Sequence, residues 1–467
     1  MSIPLTIIWD ITSKCNLMCK HCFNSDRYIS PLYGAGRELN TAECFSAIDK
    51  IANSKVPHIH LLGGEPLLKK DLFQIIAHAK SRNICVTINT NGIVLSESYS
   101  KKLIELGVDQ IVVSLDGSKP SVNDGIRGKG TFSKIVANIT KLKELLEKSN
   151  KSNMKIGVAF TLVKDNLNDV ADMLKLAKRL KIDIIDFMDI YISGRAHELE
   201  NELRFSPEER CRAFEQLALE MRKENYHQLV VQLDAPFSLV DYLNWRYSLA
   251  LHFHPRNMWC QAGERIWYMQ ADGRLLPCGM TNNLLYCKAI LQKKEYKLET
   301  INIKEVSSLE EVDNSDFFKS FRNFKLRVKH RKDRLTCRDC KVNEICLPCP
   351  IIHYSLDDIP DCAHILAHKS DFIQDILRKR VHLRSNAKWL ESSGEIKIWN
   401  ELFQTYQIIE GSGKIIWHKI VESTIKVEQI VEEVLSYYHN PPGRNIITED
   451  VVGFIYDLYL SNVIELE

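Results

Sequence analysis

Cys15, Cys19 and Cys22 stand in a C-x3-C-x2-C run, Cys-Asn-Leu-Met-Cys-Lys-His-Cys. Three soft thiolates on one short loop suit an iron–sulfur cluster. A zinc knuckle or a chance cluster is the alternative reading of the spacing. With three local ligands, one iron of a four-iron cluster lacks a protein ligand and can bind a substrate. The chain holds fourteen cysteines in 467 residues. A second set runs Cys260-x12-Gly273-x4-Cys278, then Cys337-x2-Cys340-x5-Cys346-x2-Cys349-x12-Cys362. Its C-x2-C pairs also admit zinc. The start, Met1-Ser2-Ile3-Pro4-Leu5-Thr6-Ile7-Ile8, has no basic region and no long apolar region. It reads as a first strand and not as a signal peptide, so a cytoplasmic protein is expected. In a reducing compartment, clustered cysteines argue for metal over disulfides. Cys44, Cys85 and Cys211 lie in helix or strand patterns and read as small buried hydrophobes.

The elements that must carry these residues alternate. Short apolar runs at 7–10, 59–62, 85–90, 110–115, 156–163 and 182–188 read as buried parallel strands. Amphipathic stretches at 41–54, 72–82, 98–106 and 132–148 read as helices between them. Repeated strand–helix alternation predicts an α/β fold around a parallel sheet. Six units fall short of the eight of a closed barrel, so a partial barrel and an open doubly wound sheet both fit. The first cysteine loop follows the first strand, at the end where βα proteins place their chemistry. Ser206-Pro207-Glu208-Glu209 reads as a helix start within connecting helices at 200–258. Near the C-terminus, runs at 395–399, 405–410 and 414–419 read as strands, with Gly411-Ser412-Gly413 as a turn, followed by helices near 427–438 and 448–460. Composition is that of a globular chain: 45% hydrophobic, 26% charged, net charge +2. That excludes a wholly disordered chain and gives no global charge bias toward nucleic acid or an anionic membrane. No apolar run approaches the roughly 18 residues of a membrane span.

The first cysteine triad resembles that of the radical S-adenosylmethionine (SAM) superfamily. Gly63-Gly64-Glu65-Pro66 follows the second strand, where that family binds the methionine amino group. His21 precedes the third cysteine, where the family usually has an aromatic residue against the adenine. Thr90-Asn91-Gly92 and Ser114-Leu115-Asp116-Gly117 end the third and fourth strands, as in many members. The resemblance covers about residues 1–200 and implies a partial (β/α)6 TIM barrel. It implies SAM contacts from His21, Gly63, Gly64, Glu65, Ser114, Asp116 and Arg127. The alternative for Arg127 is a surface ion pair. Gly194-Arg195-Ala196 follows the sixth strand, where related enzymes often show this triplet, and reads equally as a turn with an exposed arginine. The reduced cluster would release a 5′-deoxyadenosyl radical from SAM.

Residues 259–370 resemble the SPASM extension of peptide-modifying radical SAM enzymes, which holds two auxiliary four-iron clusters. Cys346-x2-Cys349 is one residue shorter than that pattern. The resemblance implies one cluster on Cys337, Cys340, Cys346 and Cys362. It places the other on Cys260, Cys278 and Cys349, with Cys287 or a substrate thiolate as a fourth ligand. Ile266 stands where some relatives have that ligand. Residues 380–467 are similar to PqqD-like peptide-recognition domains, winged-helix-like α+β units that bind a leader peptide by adding a strand to a sheet edge. Winged helices also bind DNA. However, residues 391–467 carry five Lys/Arg against thirteen Asp/Glu, a net −8, and would repel phosphate.

The domain order expected is therefore a radical SAM barrel (1–200), a helical bridge (201–258), a SPASM domain (259–370) and a peptide-recognition domain (380–467). The expected activity is a maturase using SAM and three [4Fe-4S] clusters, one binding SAM and two auxiliary. It would install a crosslink, thioether or carbon–carbon, in a ribosomally made precursor peptide. Its partners would be that peptide and a one-electron reductant such as flavodoxin or ferredoxin, with no nucleic acid and no membrane. The catalytic base has no sequence signature. Three other readings stand beside this one. A formylglycine-type sulfatase maturase is disfavoured by Gly279, which follows Cys278 where many of those enzymes have an acid. A radical SAM enzyme on a small molecule such as a tetrapyrrole has no need of the C-terminal unit. A non-enzymatic metal-stabilised scaffold would differ in iron and sulfide content.

Overall fold

The computed structural model describes residues 3–25, 37–149, 153–253, 260–282, 301–329, 361–392, 394–400 and 405–467. The chain forms two compact units. Unit 1 is Met1–Val240 with Leu251–Pro360. Unit 2 is Asp241–Ala250 with Asp361–Glu467.

Unit 1 is built on one sheet. Strands β1 (Thr6–Thr12), β2 (His58–Gly63), β3 (Cys85–Thr90), β4 (Gln110–Ser114), β5 (Lys155–Thr161) and β6 (Ile184–Met188) lie side by side in chain order, all parallel. These are the six expected strands. The sheet then continues where connecting helices were expected. β7 (Val230–Leu233) and β8 (His252–Phe253) extend it in parallel beyond β6. Their runs are too short to stand out from helical surroundings by periodicity. On the other edge β9 (Ile266–Met269) pairs parallel to β1, then β10 (Arg274–Leu276) and β11 (Ile301–Asn302) follow antiparallel. Among the described residues the sheet is open, with β8 and β11 at its ends.

The strands alternate as their residues require. Ile7, Trp9, Ile59, Leu61, Val86, Ile88, Ile111, Val113, Ile185 and Phe187 are buried. Each is worth about 1.5–3 kcal/mol when taken out of water. Intervening positions mix His58, His60, Asn89, Ser114 and Asp186 with apolar residues such as Ile8, Val112 and Ile184, so the second face is only partly polar and the runs stay largely apolar. His58 bonds Thr6 (3.1 Å) and Thr87 (2.9 Å), and His60 bonds Asn89 (3.1 Å). Burial pushes the His60 imidazole down to about 4. The helices start where their caps say. Asn40 and Glu43 make a reciprocal capping box before Thr41–Asn53, and Ser206 and Glu209 make another before Pro207–Lys223. The first of these helices buries Cys44, Ala47, Ile48 and Ile51, one stripe at helical spacing. Cys85 is exposed, contrary to expectation, because it is the first residue of β3 and lies at its open end. Among the described residues no helix is long and apolar enough to cross a membrane.

The main segment of unit 2 opens with helix Asp361–Arg378. It has a small antiparallel sheet in which β12 (Arg380–Leu383) lies between β16 (Ile425–Lys426) and β17 (Ile464–Leu466). A separate antiparallel sheet is β13 (Ala387–Ser392), β14 (Glu395–Asn400) and β15 (Thr405–Ile409). Helices Gly413–Glu422, Val427–Tyr437 and Arg444–Leu460 pack with these strands around Trp417, Ile398, Val431, Ile455 and Ile464. Two expected strands are present at β14 and β15. The third, at 414–419, is instead helical. Ile416, Trp417 and Ile420 are its buried residues, and their spacing fits one helix face and not strand alternation. Strands β12 and β13 had no clear signal, since β13 is almost wholly exposed.

Candidate functional site

The loop after β1 carries Cys15, Cys19 and Cys22; four separate parts of unit 1 hold its backbone, and Asn91 holds the Asn16 side chain. Gly64 N–H donates to Thr12 O (2.8 Å), and Glu65 N–H donates to Lys14 O (2.7 Å). This contact is close enough to demand the glycine pair. A Cβ on Gly63 would lie 2.3 Å from Thr12 O, and one on Gly64 would lie 2.2 Å from Lys14 O. Gly63 also has φ +134°, where side chains are disfavoured. At the loop's entry, Glu38 Oε1 accepts from Thr12 Oγ1 (2.9 Å), Ser13 N–H (2.8 Å) and Ser13 Oγ (2.9 Å). Asn91 Nδ2 donates to Asn16 Oδ1 at 2.8 Å, and Lys20 N–H to Ile126 O at 3.0 Å. At the loop's exit, Arg195 Nη1 donates to Cys19 O (2.7 Å), and its N–H donates to Cys22 O (3.1 Å). Gly194 permits this: a Cβ there would lie 2.6 Å from Cys22 O. Arg195 is thus a clamp on the cysteine loop rather than an exposed turn residue.

Glu65 is fully buried. Its Oε1 accepts from Thr90 Oγ1 (2.6 Å) and Leu67 N–H (3.2 Å), and its Oε2 accepts from Asn91 N–H (2.7 Å). Burial pushes its carboxyl above the usual range, and these donors oppose the rise. Glu65 therefore ties the turn after β2 to the turn after β3.

Asp116, just past β4, is the electrostatic centre. It is fully buried, with Arg127 Nε 2.5 Å and His21 Nε2 3.2 Å from its Oδ2. Thr161 N–H donates to Oδ1 at 2.7 Å. Burial alone would raise this carboxyl. Arg127 and His21 outweigh it and hold the group at about 2. Arg127 is itself buried, which excludes the surface ion pair, and its Nη1 lies 3.9 Å from Cys19 Sγ. Burial pushes the Cys19 thiol up to about 11, with Arg127 acting against it, and burial also raises Cys15. A bare thiolate is disfavoured there, and bound iron would supply the missing countercharge. Ser114 ends β4, half-buried beside Ala159 of β5.

So the structure brings together Cys15, Cys19, Cys22, His21, Gly63, Gly64, Glu65, Asp116 and Arg127. Glu38, Asn16 and Ser25, which accepts from Arg195 N–H at 2.7 Å, had no motif to reveal them.

Cys260 and Cys278 form a second locality in unit 1. Gly263 N–H donates to Pro277 O (2.8 Å), joining the segments that carry them. Met280 N–H donates to Cys278 Sγ at 3.3 Å. Gly273 turns the chain between β9 and β10 at φ +89°, and a Cβ there would lie 2.9 Å from Asn302 Oδ1. Cys362 opens helix Asp361–Arg378 in unit 2. Cys287, Cys337, Cys340, Cys346 and Cys349 lie outside the described residues.

Residues 9–177 match the Radical SAM superfamily, and residues 260–341 match SPASM, an iron–sulfur cluster-binding domain. The chain is 33% identical over 197 residues to Fe-coproporphyrin III synthase of Methanosarcina barkeri, covering 42% of this chain and 46% of that one. It is 28% identical over 217 residues to mycofactocin maturase MftC of Mycolicibacterium smegmatis, covering 46% and 52%. The match thus spans about half the length of each. By fold it is similar to Streptococcus suis SuiB bound to precursor peptide SuiA, with TM-score 0.58, 17% identity, and 78% and 76% of the two chains covered. The first domain implies SAM and a four-iron cluster, and the second implies auxiliary iron–sulfur clusters.

Proposed function

We propose that this enzyme of the radical SAM type is a maturase that modifies a ribosomally made precursor peptide. The observation carrying the reading is the preorganised cysteine loop at the C-terminal end of β1, bound to the turns after β2 and β3 and to the Asp116–Arg127 pair. Cys15, Cys19 and Cys22 would hold the SAM cluster. When bound, the cluster and SAM supply a carbon-centred radical on one-electron reduction.

The chain's residues position that chemistry. Gly63 and Gly64 bring the β2 turn against the loop, where backbone carbonyls and Glu65 would receive the methionine ammonium. Ser114 and Arg127 would meet ribose and carboxylate, with Asp116 orienting the guanidinium. Two auxiliary clusters would complete a set of three. Cys337, Cys340, Cys346 and Cys362 would hold one. Cys260, Cys278 and Cys349 would hold the other, with Cys287 or a thiolate from the peptide as its fourth ligand. A peptide thiolate held there favours a thioether product, and Cys287 there leaves carbon–carbon crosslinking equally open. A flavodoxin or ferredoxin would supply electrons.

A peptide substrate is supported by the name of the MftC relative and by the SuiB complex. Unit 2 would dock the leader as a PqqD-like domain. Among the described residues, β13 and β15 each pair on one side only, leaving edges open to a further strand. The coproporphyrin-related name of the other relative favours a second reading, a tetrapyrrole substrate. Incubation of the reduced, reconstituted full chain with a candidate leader-bearing precursor peptide, and separately with an iron porphyrin, distinguishes the two. The account expects the peptide to lose two hydrogens per crosslink, and expects leader affinity to need unit 2. An unaltered peptide, with turnover of an iron porphyrin instead, contradicts it.

A further inference from the structure

Glu38 precedes the helix Thr41–Asn53 and belongs to no cysteine motif, yet it meets two parts of the site at once. Its Oε1 takes three donors at the entry of the cysteine loop: Thr12 Oγ1 (2.9 Å), Ser13 N–H (2.8 Å) and Ser13 Oγ (2.9 Å). Thr12 Oγ1 passes the restraint on, since it accepts from the N–H of Lys14, the residue before Cys15, at 3.2 Å. Its Oε2 lies 3.5 Å from Lys69 Nζ. Lys69 stands in the turn after β2, shortly beyond Gly63-Gly64-Glu65-Pro66, and its side chain is only 8% exposed. Its ammonium also donates to Leu39 O (2.8 Å) and has Asp71 Oδ1 at 3.9 Å. The segment that carries Glu38 is anchored from a third side, where Leu39 N–H donates to Ala271 O between β9 and β10 (2.8 Å). Burial alone would raise the Glu38 carboxyl, but the Ser13 and Thr12 donors and Lys69 outweigh it and hold the group below its usual range. Both oxygens are thus engaged by the protein, so Glu38 acts through its neighbours.

We propose that Glu38, through Lys69, is a positioning residue that holds the cysteine loop in place against the turn after β2, so that one SAM molecule can engage both. This rests on the radical SAM reading of the site. The two parts joined are the one proposed to hold the first cluster and the one proposed to receive the methionine ammonium. Backbone bonds from Gly64 and Glu65 fix the carbonyls of Thr12 and Lys14, and Glu38 fixes the hydroxyls and the Ser13 N–H of the same stretch. A loose joint would cost SAM affinity before it emptied the cluster site, because the cysteines themselves are untouched.

The test uses the iron-reconstituted full chain and reads three quantities: iron content, SAM affinity at equilibrium, and the change that SAM causes in the electron paramagnetic resonance spectrum of the reduced protein. Glu38→Ala should weaken SAM roughly 10-fold and diminish that spectral change, with iron content falling less. Glu38→Gln keeps an acceptor for Thr12 and Ser13 and should recover part of the affinity. Lys69→Met cuts the tie to the turn but leaves the three loop donors, and should weaken SAM roughly 3- to 10-fold at full iron content. Combining Glu38→Gln with Lys69→Met should cost less than the sum of the two, since both act through one contact. Wild-type affinity in Lys69→Met overturns the proposal, and it decides alone if Glu38→Ala does not fold. Additive losses in the double variant overturn it as well, because the residues would then act separately. A wild-type chain that binds no SAM contradicts the radical SAM reading itself, a separate outcome from SAM bound equally well by every variant.

Discussion

Asp116 shows how far the site depends on one buried carboxylate. Its ionised form is favoured in the folded state, since it titrates at about 2 against an ordinary 3.8. A lowered carboxyl contributes stability that is present above the unfolded value and lost as the pH falls through the folded one. Wild type should therefore lose roughly 2 kcal/mol between about pH 4 and pH 2 on this account. Asp116→Asn should flatten that part of the pH–stability curve from chemical denaturation. It should also destabilise the protein at pH 7 by about 3 kcal/mol, because Arg127 stays buried without its partner. Glu65 calls for a different measurement. Its three donors make it a strut between two turns, and it would also face the SAM ammonium. Glu65→Ala should weaken SAM binding about tenfold or more while iron content falls less. An unchanged SAM affinity would remove it from the ligand site. Legibility at this scale followed the chain. The cysteines, Gly63-Gly64-Glu65 and Asp116 were readable because local spacing carries them. Glu38 was not, and Arg195 was legible as part of a triplet but not as a clamp, since the two meet the cysteine loop across 26 and 176 residues of chain.

Among the elements, the loop after β1 behaves as a part fitted to its neighbours. Gly64→Ala puts a methyl group 2.2 Å from Lys14 O, which is backbone and cannot step aside cheaply. Loading of the first cluster should drop severely, seen as loss of its spectroscopic signal with unit 2 still folded. Strands β1 to β6 were legible because buried parallel strands are continuous apolar runs. β7 and β8, four and two residues long, were not. The helix at 413–422 was read as a strand because it is short and follows a glycine-rich turn, where its three buried residues show barely one period. In unit 2, Arg246 stacks over Phe372, 3.7 Å from the ring centroid, and donates to Tyr456 Oη at 3.2 Å. Arg246→Ala should lower the stability of unit 2 by about 2 kcal/mol, read by hydrogen exchange over 361–467, with unit 1 unaffected. That contact also explains why a cut at 380 is unsuitable for isolating the C-terminal unit. The compact unit includes 241–250 and 361–378, which no local composition change announces.

For the whole molecule, the account is a radical SAM domain followed by a SPASM domain, with an acidic α+β unit that we assign to leader docking. The order was readable because each cysteine set has its own spacing. The proposed peptide substrate, the bond proposed to form in it and the fourth ligand of the proposed inner cluster depend on contacts that no local motif encodes. The most direct measurement of the central claim is 5′-deoxyadenosine formation by the reduced, reconstituted full chain. It is compared with a Cys15→Ala, Cys19→Ala, Cys22→Ala variant that keeps its auxiliary iron, about eight of roughly twelve atoms per chain. The account predicts product from wild type and none from the variant. Equal product from both would contradict it.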